Sequence, residues 1–218
     1  MTRKIVADFE LTGLDIKNDR IIEFAFLEMI DGKLTDEKLV SLTHPEMAIP
    51  DNKAATIHKI TDEMLEAAPI FKDKAQEIQD FVGDSQIVVT CWTMMKQGSD
   101  EVFTATLENP TEPKDNYTAD FAFLNKEMQN AGFSTFKEKQ QLNTRRWAEV
   151  LFGHKQSSMR FLIPHFGFKP EDFGDAHRAE RDALLLATIY PLLKKEHDVF
   201  VESNKAVKNK PKINKPNL

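Results

Sequence analysis

The chain reads as an α/β domain, and three observations predict that class. Apolar, β-branched runs open the sequence at Ile5-Val6, at residues 20–30 and at residues 33–43. An Asp31-Gly32 pair separates the second run from the third, which is a strong hairpin signal. Beyond residue 50, helical apolar stripes alternate with short strand-like runs at residues 86–89 and 141–145, as in a sheet covered by helices. A length of 218 residues suits one medium domain.

Taken in order, the first three runs predict an antiparallel meander. Pro45 and Pro50 bracket a loop, and residues 54–58 suit a short helix. Thr61 before Asp62-Glu63-Met64 reads as a helix N-cap. A second helix is expected over residues 69–82, where Phe71, Ala75, Ile78 and Val82 form a stripe and Gly83 ends it. Gln86-Ile87-Val88-Val89 suits a central strand. Residues 90–115 show no period and hold Gly98, Pro110 and Pro113, the profile of a functional or disordered loop. Residues 120–132 then read as a helix stopped by Gly132, and residues 141–145 as a last strand feeding a helix through Trp147, Val150 and Leu151. Pro164 should end or kink any helix over residues 159–166. The stretch from Gly174 to Leu186 is expected to open a final helix that runs to about Leu193.

The bulk numbers exclude several classes. No apolar run approaches the roughly 20 residues that span a bilayer, so no membrane association is expected. Cys91 is the only cysteine, which rules out an intrachain disulfide and a cysteine-based zinc site. With no leader-like segment at the start, a cytoplasmic setting is expected. The net charge of −6 argues at first against a nucleic-acid partner. However, residues 203–218 carry five lysines and no acid, so an acidic body is joined to a basic end. Residues 1–196 are expected to form the folded domain. Residues 197–218 are expected to be a Lys-rich disordered tail, either merely solvated or an auxiliary phosphate-binding arm.

The chemistry is read from carboxylates that sit where carboxylates are costly. Asp8 and Glu10 follow the first apolar run one residue apart, so on a strand they share a face. Asp120 heads a stripe with Phe123, Leu124, Met128 and Ala131, and Asp182 heads one with Leu185, Leu186, Ile189 and Leu193. Each has a plain alternative: an acidic strand end, an N-cap, a helix start. Together, four inward acids on three elements call for hard divalent cations, Mg2+ or Mn2+. Two such ions about 4 Å apart can clamp the attacking and leaving oxygens of a phosphoryl displacement. His177 lies five residues before Asp182, about 140° away on an ideal helix. It is therefore expected on a lead-in loop, where an imidazole could serve as general base.

Asp8-x-Glu10 with Thr12-Gly13, then Asp120, then His177-x4-Asp182 resembles the DEDDh family of 3′–5′ exonucleases. Residues 19–23, 57–61 and 116–125 are similar to stretches of the proofreading epsilon subunits of bacterial DNA polymerase III. The opening 8–15 also looks like oligoribonucleases. The resemblance covers roughly residues 4–194. It implies the ribonuclease H-like fold, a mixed five-stranded sheet with helices on both faces. It also implies that Asp8, Glu10, Asp120 and Asp182 hold two metals, with Asp8 bridging both, and that His177 is the base. Leu11, Thr12, Gly13 and Leu14 would form the rim for a terminal nucleotide, with His58 and Phe123 as further substrate contacts; packing roles for these last two stay open. The implied partner is a nucleic-acid 3′ end, with single-stranded DNA favoured and RNA open. A polymerase or another replication or repair protein is a candidate partner, and an inactive binding relative is the remaining alternative. This chain departs from the family at residues 90–115, where relatives run from the strand almost directly to the middle Asp.

Overall fold

The computed structural model describes residues 1–91, 93–96, 102–104, 116–174 and 177–208. Its centre is a five-stranded mixed sheet of β1 (Arg3–Leu11), β2 (Ile21–Ile30), β3 (Lys33–Leu42), β4 (Gln86–Val89) and β8 (Gln141–Asn143), ordered β3-β2-β1-β4-β8. The meander β1-β2-β3 is antiparallel, and β4 and β8 add in parallel beyond β1. Asp31 and Gly32 make the β2–β3 turn with φ of 49° and 80°, the left-handed pair that a two-residue hairpin needs.

Period-two alternation divides β1 between two cores. Ile5, Ala7, Phe9 and Leu11 face one side, against α3 (Phe71–Val82) and α4 (Ala119–Asn130). Val6 faces the other, with Ala25 and Leu27 of β2, beneath α7 (Ala179–Lys208). Helices α5 (Arg145–Phe152) and α6 (Met159–His165) complete that second layer. The expected stripe of α3 is buried at all four positions, and Gly83 caps the helix at φ 53°. Pro164 stands in the last turn of α6, which ends one residue later.

Residues 90–115 contribute a small sheet. β5 (Thr93–Lys96) pairs antiparallel with β6 (Val102–Thr104) and with β7 (Asn116–Thr118), the strand that leads into α4. Strands of three or four residues leave no periodicity to read, so the sequence reading found only a loop.

The domain boundary expected at residue 197 is corrected. Helix α7 runs on to Lys208 because its C-terminal half has partners: His197 stacks on Trp147 at 4.9 Å, and Lys194 pairs with Asp198 one turn along. Disorder predicted from composition misses such tertiary contacts. Residues 209–218, with the remaining tail lysines, lie outside the described residues.

Since α7 packs across β1 and β2, truncating its buried face should loosen the whole second core. Leu186→Ala is expected to cost about 2–5 kcal/mol of unfolding free energy, read from the midpoint shift in urea. A loss well under 1 kcal/mol would mean that α7 is not held there.

Candidate active site

The alternation that buries Val6 also points Asp8 and Glu10 toward α7, at the end of the strand where apolar cover stops. Asp182 lies in the first turn of α7 and meets them. One carboxylate oxygen from each of Asp8, Glu10 and Asp182 lies within 4.8 Å of the others. Asp120 arrives from the opposite layer, in the first turn of α4. It is not the helix cap, because Thr118 Oγ1 accepts from Phe121 N–H at 3.2 Å. Asp120 stands outside the close trio but within its field.

Electrostatics bind the four together. Burial, then the charges of Asp120, Asp182, Glu10 and Glu23, push the Asp8 carboxyl well above its ordinary value. Burial and the same neighbours, Asp182 first, raise Glu10 to about 8, against a smaller pull from Arg178. Asp120 is raised to about 6 by burial, and a hydrogen bond with the Cys91 thiol acts in the other direction. Like charges are thus concentrated without enough protein cations to offset them. Such an all-oxygen donor set fits Mg2+ or Mn2+.

Four of the expected rim and substrate residues line an open cleft of about 520 Å³ beside the acids: Leu11, Gly13, Leu14 and His58. Leu14 is half exposed, the only large apolar side chain of the rim turned outward. His58 is 4% exposed. Its Nδ1 accepts the Ile60 N–H at 2.9 Å, while Nε2 has no partner among the described residues. Burial lowers the His58 pKa against a smaller opposing effect of Glu23, and because Nδ1 accepts a hydrogen bond the ring proton sits on Nε2.

Two expected contacts are corrected. Thr12 is fully buried: its hydroxyl donates to Asp19 Oδ1 at 2.8 Å and accepts from Arg20 N–H at 3.0 Å. Its place is beneath the rim. A Cβ on Gly13 would come within 2.4 Å of Asp19 Oδ2, so that same bonded carboxylate is why the rim has a glycine. Phe123 is fully buried in the first core, on the stripe it shares with Leu124 and Met128, away from the cleft. His177 occupies the exposed bend before α7 with φ 59°, off the helix as the spacing required.

The sequence reading passed over four contributors. Asn52 caps α1 (Lys53–His58) through Ala55 N–H at 3.1 Å and donates to Thr12 O at 2.7 Å, joining the His58 helix to the rim. Cys91 lines the cleft next to Asp120. Arg181 donates to Asp182 Oδ1 at 2.6 Å and to Pro170 O at 3.1 Å. Glu23 lies opposite Glu10 in the β1–β2 register, buried, and bonded to Arg178. An acid within the apolar run 20–30 was its one visible signal; Asn52 reaches the rim across 40 residues, and Arg181, next to Asp182, reads as an ordinary helix charge.

Raised carboxyls hold protons in the folded chain that they release when unfolded. Folded chain therefore binds more protons than unfolded chain from about pH 5 to about pH 8, and its stability must fall as pH rises through that window. In EDTA, Tm is expected to drop over this range and Glu10→Gln to flatten the decline. Added Mn2+ should raise Tm more at pH 8 than at pH 6. A Tm that is flat or rises in EDTA would contradict the mutual repulsion.

The family model described as Exonuclease matches residues 5–118, which include Asp8 and Glu10. The DNA polymerase III subunit epsilon of Buchnera aphidicola (subsp. Schizaphis graminum) is 26% identical over 220 residues, covering 95% of this chain and 80% of that protein. Its counterpart in Rickettsia prowazekii is 29% identical over 196 residues, covering 88% and 73%. Among solved structures, E. coli Exonuclease I in complex with a dT13 oligonucleotide matches with a TM-score of 0.68 at 13% identity, over 93% of this chain and 43% of that one. Exonuclease X in complex with 5′ overhanging duplex DNA matches with a TM-score of 0.56 at 19% identity, over 90% and 92%. These likenesses identify the sheet as the ribonuclease H-like one. With its acids at the end of the first strand and a family match over more than half its length, the chain belongs to the exonuclease family and is a 3′–5′ exonuclease, a hydrolase of phosphodiester bonds.

Proposed function

We propose that this exonuclease removes nucleotides from the 3′ end of single-stranded DNA, releasing nucleoside 5′-monophosphates. The observation that carries the reading is the trio Asp8, Glu10 and Asp182 within 4.8 Å at the edge of an open cleft. Asp8, Glu10, Asp120 and Asp182 would hold two Mg2+ or Mn2+ ions, which neutralise the acids and supply Lewis-acid stabilisation of charge on the phosphate oxygens. His177 takes a proton from water as its oxygen attacks phosphorus; the new P–O bond forms as the bond to the 3′ oxygen of the preceding nucleotide breaks. Leu14 and Leu11 present an apolar rim for the terminal base. The His58 Nε2–H, buried and unpartnered, supplies a donor to an oxygen of that nucleotide, a bond that would meet its otherwise uncompensated desolvation.

The preference for DNA is supported by relatives that are subunits of a DNA polymerase and cover most of this chain. They also suggest that a polymerase is the natural partner. RNA as substrate is the second reading, favoured by the oligoribonuclease-like opening at residues 8–15.

Degradation of matched 5′-labelled DNA and RNA oligonucleotides tests the assignment. The expected result is a ladder of DNA products shortened from the 3′ end, with EDTA abolishing cleavage. Asp8→Asn should remove activity, and His177→Ala should lower kcat by about 100-fold or more while Mn2+ binding persists. Cleavage of RNA alone would overturn the DNA preference, and full activity in EDTA would overturn the metal assignment. His58→Ala is expected to raise KM about 10-fold; an unchanged KM would assign His58 to packing.

A further inference from the structure

Glu23 has protein donors on both of its carboxylate oxygens. Arg178 grips it with both arms of the guanidinium: Nη2 lies 2.6 Å from Oε1, and Nε lies 3.1 Å from each oxygen. The Ala179 N–H donates to Oε2 at 3.0 Å. With both oxygens engaged, Glu23 is not built as a ligand, although it sits opposite Glu10 in the register.

What those bonds hold is the start of α7. Arg178 directly follows His177, and Ala179 begins the helix that carries Asp182 three residues later. The turn has other anchors, but they are weaker in kind. Glu180 pairs with Lys38 at 2.6 Å with both side chains largely exposed, an arrangement worth little in water. Arg181 reaches Pro170 O from the loop before the bend. The Glu23 pair ties this turn to the centre of the sheet through a two-pronged ion pair whose carboxylate is buried. His177 adopts φ 59° immediately before it, a conformation that a non-glycine residue keeps only when its surroundings impose it.

We propose that Glu23 and Arg178 are positioning residues for the general base, a clamp from β2 that fixes the backbone on which His177 stands. The proposal rests on the reading of His177 as base. Neither residue touches substrate; both act through His177.

The test is made on the full chain with Arg178→Gln, Arg178→Lys and Glu23→Gln. Arg178→Gln is expected to lower kcat about 10- to 100-fold, the effect of misplacing a reacting group by about 1 Å, with KM for the oligonucleotide within about two-fold of wild type. Arg178→Lys keeps the charge with one donor and should recover part of the loss. In the double variant His177→Ala/Arg178→Gln the rate should equal that of His177→Ala alone, because a residue acting through another has nothing left to act on. Independently of turnover, amide exchange at Ala179 should be slow in wild type and faster in Arg178→Gln and Glu23→Gln. A wild-type kcat in Arg178→Gln, additive losses in the double variant, or unchanged exchange at Ala179 would overturn the clamp. If His177→Ala turns over at the wild-type rate, the base assignment falls and the positioning role falls with it. The exchange data then show separately whether the clamp itself holds the helix start.

Discussion

The structure depends on a repulsion that the fold creates and does not relieve. Asp8 and Glu10 share one face of β1 because strands alternate, the face on which Val6 packs beneath α7, and both are partly buried there. Burial makes each charge costly, and Asp120 and Asp182, delivered from helices on opposite faces of the sheet, raise the cost further. A protein selected for stability alone would place apolar residues there. The neighbouring arginines are already committed: Arg178 to Glu23, and Arg181 to Asp182 and a backbone carbonyl. The remaining negative charge is therefore available to cations from outside.

Much of the rest serves to hold that charge in place. The two cores lock β1 from both sides. Arg20 binds Glu127 of α4 through two hydrogen bonds of 2.6 and 3.1 Å, and Lys126 donates to Asp19 O at 2.8 Å. The turn after β1 is thereby fastened to the same helix that presents Asp120. Asn52 fastens α1 to that turn as well. Acids, rim and His58 are joined by bonds that cross between elements, so none can shift alone.

How far the sequence could be read follows from the range of each interaction. Local periodicities were legible: the alternation that puts Asp8 and Glu10 on one face, the Asp31-Gly32 turn, the stripe Phe71-Ala75-Ile78-Val82. The acids were legible because each broke such a pattern, as Asp182 breaks the stripe of Leu185, Leu186 and Ile189. Phe123 obeys its stripe, which is why it belongs to the core and not to the cleft. Thr12 went astray because a hydroxyl looks the same facing a nucleotide or an Asp seven residues on. The Glu23–Arg178 pair spans 155 residues, and the Trp147–His197 stack that prolongs α7 spans fifty; no window along the chain contains either.

The small sheet β6-β5-β7 leaves and rejoins the domain at one point. Its outer ends pair with each other, Met94 opposite Thr118 and Lys96 opposite Asn116. The two exit points are stapled to the same strand, β8: Cys91 exchanges hydrogen bonds with the Asn143 side chain at 3.3 and 3.1 Å, and Thr118 N–H donates to Gln141 Oε1 at 2.6 Å. The base of this segment is therefore moored to β8 on both sides. Thr118, held there, also caps α4, so the same mooring fixes the helix turn from which Asp120 projects.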